Sequence, residues 1–264
     1  MAHDITVSVR LDYTMRERAP VLMQIEAANL PGQTVRNPRL VISPDVPVRA
    51  IPAHDNVGER IWLEPEAGFT VAYDATVSVT RQASVLASLV ADPLPSLPPS
   101  VVEYLLPSRY CPVDTLHVTA MDQFGGMSGG MMVSSVTEWI AGHLSYVPGA
   151  SHGATTALDT FLSREGVCRD YAHLLIALVR GLGIPARMVS AYAPGVTPPD
   201  FHALAEVWLQ GSWHLVDATG MADPAKTVVI GVGRDAADVA FLTIFGGAEL
   251  NAQSVEVGLV GVVG

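Results

Sequence analysis

Residues 92–99 read Asp-Pro-Leu-Pro-Ser-Leu-Pro-Pro, four prolines in eight positions. Proline locks φ and has no N–H to donate, so this segment can be neither a helix nor a central strand, and it divides the chain into two textures. Before it the apolar residues alternate. Ile5, Val7, Val9, Leu11 and Tyr13 share one face of an extended chain, as do Val21, Met23 and Ile25, and again Val71, Tyr73, Ala75, Val77 and Val79. Shorter runs at 39–42 and 59–63 lie between, punctuated by Pro20, Pro31-Gly32, Pro38, Pro44, Pro47, Pro52 and Pro65. Short strands set off by Pro and Gly predict a β-sandwich or barrel over about residues 1–82.

After the prolines the period lengthens. Met131, Met132, Val133, Val136, Trp139, Ile140 and Leu144 predict one helix, 155–162 begins a second, and a third runs from Cys168 to Arg180, ended by Gly181, Gly183 and Pro185. Strands are expected at 186–192, 202–209, 213–217, 226–232, 240–245 and 255–260. The division is therefore a β-rich domain over 1–91, a linker over 92–99, and an α+β domain over 100–264, helices followed by an antiparallel meander.

Fifteen Lys and Arg against 26 Asp and Glu leave a net charge of -11, which repels phosphate backbones and anionic lipid, so neither nucleic acid nor a membrane is an expected partner. No run approaches the roughly 18 apolar residues of a membrane span. The N-terminus enters alternating residues without a basic start or an apolar h-region, so the expected location is cytoplasmic. Nothing in the sequence marks an oligomeric state.

Chemistry concentrates at Glu165-Gly166-Val167-Cys168-Arg169-Asp170-Tyr171-Ala172-His173. The cysteine follows a Gly-containing turn and opens an apolar helix, where free N–H groups and the positive dipole end favour a thiolate and can hold an oxyanion. A base and a residue to orient it are still needed. His202, 34 residues downstream of Cys168, opens a predicted strand, and Asp217 closes the next. A wide loop centred between Leu209 and Gln210 would set them opposite each other. A tight turn at Gly211-Ser212 would set Glu206 opposite Asp217 and separate the pair by roughly 13 Å along the strand. A Cys-His-Asp triad thus predicts the wide loop or a bulge.

Four ordered segments carry a resemblance: 166–174 around Cys168, Gly183-Ile184-Pro185-Ala186-Arg187-Met188-Val189-Ser190, His202-Ala203-Leu204-Ala205-Glu206-Val207, and Trp213-His214-Leu215-Val216-Asp217-Ala218-Thr219. Together they resemble the core of the transglutaminase-like superfamily, and 104–111 is similar to the segment that opens this domain in bacterial members. The resemblance covers about residues 100–245 and implies a papain-like fold with Cys168, His202 and Asp217 as catalytic residues. It also implies acyl transfer from a peptide, protein or small amide substrate, by hydrolysis as a peptidase or amidase or to an amine, with a non-catalytic peptide-binding scaffold as the alternative reading. Leu204 stands where many members have an aromatic residue and Ala218 where proline is common. Trp139 is the only tryptophan shortly upstream of Cys168, and its helical setting does not suit it to an indole oxyanion donor.

Other polar residues read as architecture. Cys111 is expected to be a buried hydrophobe and His173 a packing histidine, Asp170 to complement the helix dipole, His214 to be exposed, and Arg187 to pair with Glu206 across adjacent strands. No histidines have metal-ligand spacing, no Cys-x-x-Cys pair exists, and Gly125-Gly126-Met127-Ser128-Gly129-Gly130 lacks the lysine of a phosphate loop, so neither metal nor cofactor is expected. That Gly-rich run is expected to form a flexible loop near the site, a candidate lid.

Overall fold

The computed structural model describes residues 2–82 and 84–261. Six strands come first: β1 (His3–Met15), β2 (Val21–Met23), β3 (Gln33–Ser43), β4 (Arg49–Pro52), β5 (Glu59–Leu63) and β6 (Gly68–Val79). After the prolines come α1 (Pro99–Val102), α2 (Val113–Phe124), α3 (Gly129–His143), β7 (Ser145–Tyr146), α4 (Ala157–Ser163), β8 (Glu165–Gly166) and α5 (Cys168–Gly181). The chain ends in β9 (Ala186–Tyr192), β10 (His202–Leu209), β11 (Ser212–Val216), β12 (Val228–Gly233), β13 (Leu242–Ile244) and β14 (Ala248–Leu259).

Twelve of these strands form three four-stranded antiparallel sheets, ordered β14-β1-β6-β3, β13-β2-β5-β4 and β11-β10-β9-β12, and β7 and β8 form a separate parallel pair. The first two form the expected sandwich. Its core takes the alternating faces of β1 and β6, with Ile5, Val9, Tyr73 and Val77 at zero exposure. The sandwich is not complete within the first 91 residues, however. β14 lies along the whole of β1, and β13 pairs with β2, so two strands expected in the meander of the second domain return to the first. An unpaired β1 would leave a row of open backbone groups, and the polar, mostly exposed β14 suits the resulting edge. Strand character is written locally; the choice of partner is not.

The division is softened further by packing. Tyr192, Val228 and Ile230 from the third sheet are buried in the sandwich core. Gln33, 1% exposed, donates to the carbonyls of Ala28 and Val229 at 2.6 and 2.8 Å and accepts from Val229 N at 2.8 Å. A buried amide with these partners ties the two units by side-chain hydrogen bonds to the backbone as well as by apolar area.

On the third sheet's other face lies α5, which α2, α3 and α4 also contact. Every residue from Asp170 to Arg180 is buried, as expected of a helix enclosed on all sides. Its one buried guanidinium, Arg180, donates to the carbonyls of Ala186, Leu106 and Arg234 and to Ser108 Oγ, at 2.6–3.2 Å. The helix stops at Gly183, whose φ of +80° favours glycine, and Ile184 N returns to Val179 O at 2.9 Å. Pro185 then leads into β9.

The Gly-rich run does not form the lid expected of it. Gly130 N donates to Leu89 O at 2.9 Å, and a Cβ on Gly130 would sit 1.6 Å from Leu86 O. The glycines there allow close backbone packing onto the segment after β6.

Candidate active site

The start of α5 is built around Asp170. Its carboxylate, fully buried, accepts from Val167 N at 2.8 Å and pairs with Arg169 Nη2 at 3.1 Å. It thereby caps the N-terminus that presents Cys168. Gly166 is required by the same packing, since a Cβ there would fall 2.7 Å from Asp170 Cβ. Cys168 is partly exposed and unpaired, whereas Cys111 is buried, its thiol pushed up to about 12 chiefly by that burial.

β10 and β11 bring the other two residues in, by a route different from the one expected. Their ladder runs from Leu209↔Ser212 to Ala205↔Val216, so the turn is a tight two-residue one. Gln210 and Gly211 both have positive φ, 53° and 76°, the primed-turn geometry that matches strand twist. Neither a wide loop nor a bulge forms. Continued one step, this register sets Asp217 opposite Leu204, two residues from His202 on the same face. Such diagonal neighbours lie within reach of long side chains. His202 Nε2 is 3.0 Å from Asp217 Oδ2, and the two side chains are 0% and 3% exposed.

Because Asp217 can only accept, Nε2 carries the shared proton, and Nδ1 is left for Cys168. Burial alone would lower the His202 pKa. Hydrogen bonds and charge from Asp217 and Cys168 outweigh it and raise the pKa to about 9, so the imidazolium is favoured at neutral pH. Burial likewise pushes Asp217 upward, yet its net shift is down, because His202 and the N–H groups of Ala222 and Thr219 hold the carboxylate. Those bonds measure 2.7 Å from Ala222 N and 2.9 Å from Thr219 N, and Thr219 Oγ1 adds another at 2.8 Å. The orienting role of Thr219 was visible only as an Asp-x-Thr spacing suited to a side-chain turn.

Tyr146 was not singled out in the sequence. The parallel ladder of β7 on β8 sets it beside Gly166, two residues before Cys168. Burial, followed by the charge of the nearby Cys168 thiol, pushes its phenol's pKa up to about 12. Trp139 stacks instead on Phe161 and His143, under Arg164.

Cys168 and His202 open into a pocket of about 370 Å³. Met188 and Ser190 of β9 line it with Phe201, Asp200, Phe241, Leu242 and Gln253, so the returning C-terminal segment forms one wall.

The remaining residues are architectural. His173 is fully buried, stacks on Tyr110 and accepts from Ala236 N at 3.1 Å, and burial lowers its pKa to about 4. Arg187 donates to Glu206 at 2.8 Å, as expected, and also to Asp55. His214 is half-buried rather than exposed, held by Ser84, Ser212 and Leu209 O. His54, Asp55 and Glu103 bring possible ligand atoms within 4.8 Å of one another, but Asp55 is already committed to Arg187 and Tyr104. Among the described residues no helix is long and apolar enough to cross a membrane.

The sequence profile of the transglutaminase-like superfamily matches residues 122–218, which contain Cys168, His202 and Asp217. A solved structure from Cytophaga hutchinsonii, described as a candidate cysteine protease, superposes with a TM-score of 0.92 at 31% identity, over 99% of this chain and 92% of that one. An uncharacterized protein of Mycobacterium leprae is 31% identical over 147 residues, 52% of this chain and 53% of that protein. One from Mycobacterium tuberculosis is 35% identical over 111 residues, 36% of this chain and 35% of its own length. The chain thus matches about half or less of the length of these curated relatives. The comparisons support a cysteine-dependent function of peptidase or transglutaminase type, and the chain belongs to the transglutaminase-like superfamily.

Proposed function

We propose that this protein is a cysteine hydrolase of peptide or carboxamide bonds, with Cys168 as nucleophile, His202 as acid and base, and Asp217 as its orienting partner. One observation carries the reading: a thiol at a capped helix start shares a pocket with a buried histidine whose Nε2 a fully hydrogen-bonded carboxylate holds at 3.0 Å.

The Cys168 thiolate attacks the carbonyl carbon, and the carbonyl oxygen takes the negative charge. The donors proposed for that oxyanion are the Cys168 N–H and the hydroxyl of neighbouring Tyr146. His202 passes its Nδ1 proton to the leaving nitrogen, the C–N bond breaks, and a thioester and an amine result. Neutral His202 then takes a proton from water as the water attacks the thioester. Collapse releases the acid and the thiolate, and His202 is again protonated. Asp217 stays ionised throughout. The Cytophaga hutchinsonii protein's description favours water over an amine as acceptor.

The test is to incubate the protein with dimethylcasein and a peptide-amide library, with and without a fluorescent alkylamine. New termini or released ammonia that require Cys168 support hydrolysis, and amine incorporation would move the assignment to transamidation. Absence of any Cys168-dependent product and of any thioester by intact mass would refute both.

A further inference from the structure

Within the pocket, most ionic groups are compensated. Arg169 is paired with Asp170, and the triad holds its own cation. Asp200 is the exception. Its Oδ1 accepts from Phe201 N at 2.7 Å and from Gln253 Nε2 at 2.6 Å, and among the described residues no cation pairs with it.

We infer that Asp200 Oδ2, in the same pocket as Cys168, receives a cationic group of the substrate, so that the preferred substrate class is amides bearing a basic side chain or a free amine. This rests on the proposed function for its location but not for its test.

Three observations support it. The carboxylate is built rather than incidental: Phe201, next to it, is stacked on Phe241 at 4.4 Å and tilted on Tyr192 at 5.5 Å, which anchors the loop against the wall formed by the C-terminal segment. Gln253 comes from β14, a strand of the sandwich, so the sandwich reaches into the site and fixes which oxygen of Asp200 stays free. Finally, burial raises the Asp200 pKa even though both hydrogen bonds act to lower it. Asp200 as a residue is nonetheless exposed, so its free oxygen is open to an incoming cation. The apolar lining from Met188, Phe201, Phe241 and Leu242 would take the stem of such a side chain.

The experiment uses the full chain carrying Cys168→Ala, so that binding is read without turnover, and titrates it with N-acetyl-lysine amide and its uncharged counterpart N-acetyl-norleucine amide, followed by NMR shifts. The lysine compound should bind roughly five- to tenfold tighter, less so at high salt. The preference should vanish with Asp200→Asn and reverse toward N-acetyl-glutamate amide with Asp200→Lys. Equal affinity of the two compounds, a preference that Asp200→Asn leaves intact, or no binding of either overturns the inference. Alkylation of Cys168 in the parent protein reads the nucleophile separately: an inert thiol alongside an Asp200-dependent lysine preference refutes the hydrolase and leaves the cation subsite standing.

Discussion

Replacing Asp217 by asparagine should weaken the imidazolium character of His202 while leaving the side chain nearly the same size. The magnitude follows from the site. His202 sits at about 9 against 6.5 for the free group, and at about 1.4 kcal/mol per unit the native environment favours the charged ring by about 3 kcal/mol net of burial. Asp217 supplies both a hydrogen bond and charge, so its loss should lower the histidine by at least about one unit. The fit also suffers, because Oδ1 accepts from Thr219 N and Oδ2 from Ala222 N, and an amide nitrogen must face one of these donors. Leaving such a group unsatisfied costs about 1–3 kcal/mol. The assay is the pH dependence of Cys168 alkylation, and of kcat/KM once a substrate is known. In the parent, the alkaline limb of kcat/KM should fall near pH 9, where the imidazolium loses the proton it must give to the leaving nitrogen. In Asp217→Asn it should move toward neutrality, with a lower plateau. The sign for stability agrees: a raised histidine contributes fully below about pH 6.5, and its contribution disappears as pH rises through about 9. The parent should therefore lose urea resistance over that window, and the variant should lose less. An alkaline limb that stays in place in Asp217→Asn would refute the triad as drawn.

Other perturbations probe separate parts of the site. Cys168→Ala should abolish alkylation under native conditions, because Cys111 is sealed in the core, and intact mass after iodoacetamide would reveal any labelling elsewhere. Tyr146→Phe should lower kcat about tenfold or more with little change in KM, a pattern expected of a donor that acts on the developing oxyanion; an unchanged kcat would remove the phenol from the mechanism. Gly166→Ala places a methyl group 2.7 Å from Asp170 Cβ and should cost about 1–3 kcal/mol in urea unfolding through overpacking of the helix cap.

The elements that carry the site were legible because their signals are local. The period-two runs of β1 and β6, the apolar stretch of α5 with its glycine stop, and the Cys, His and Asp at the ends of successive elements all depend on residues within a turn or two. The expected helix from Cys168 to Arg180 differs from α5 by one residue at its end. The expected wide loop after β10 did not form because only the diagonal offset was missed: parity placed His202 and Asp217 on one face in every register considered, and side-chain length supplied the rest.

What the sequence determined by itself was this chemistry, since a capped helix start and strand-end His and Asp residues follow from neighbours along the chain. Only the tertiary structure decided that β13 and β14 return to the first two sheets, that the Gly-rich run packs away from the pocket, and that Tyr146 and Asp200 join Cys168. The physical reason is common to all of them. Strand partners and pocket walls are chosen by total burial and by satisfying backbone groups over separations such as the 53 residues between Asp200 and Gln253, and no local pattern encodes that sum.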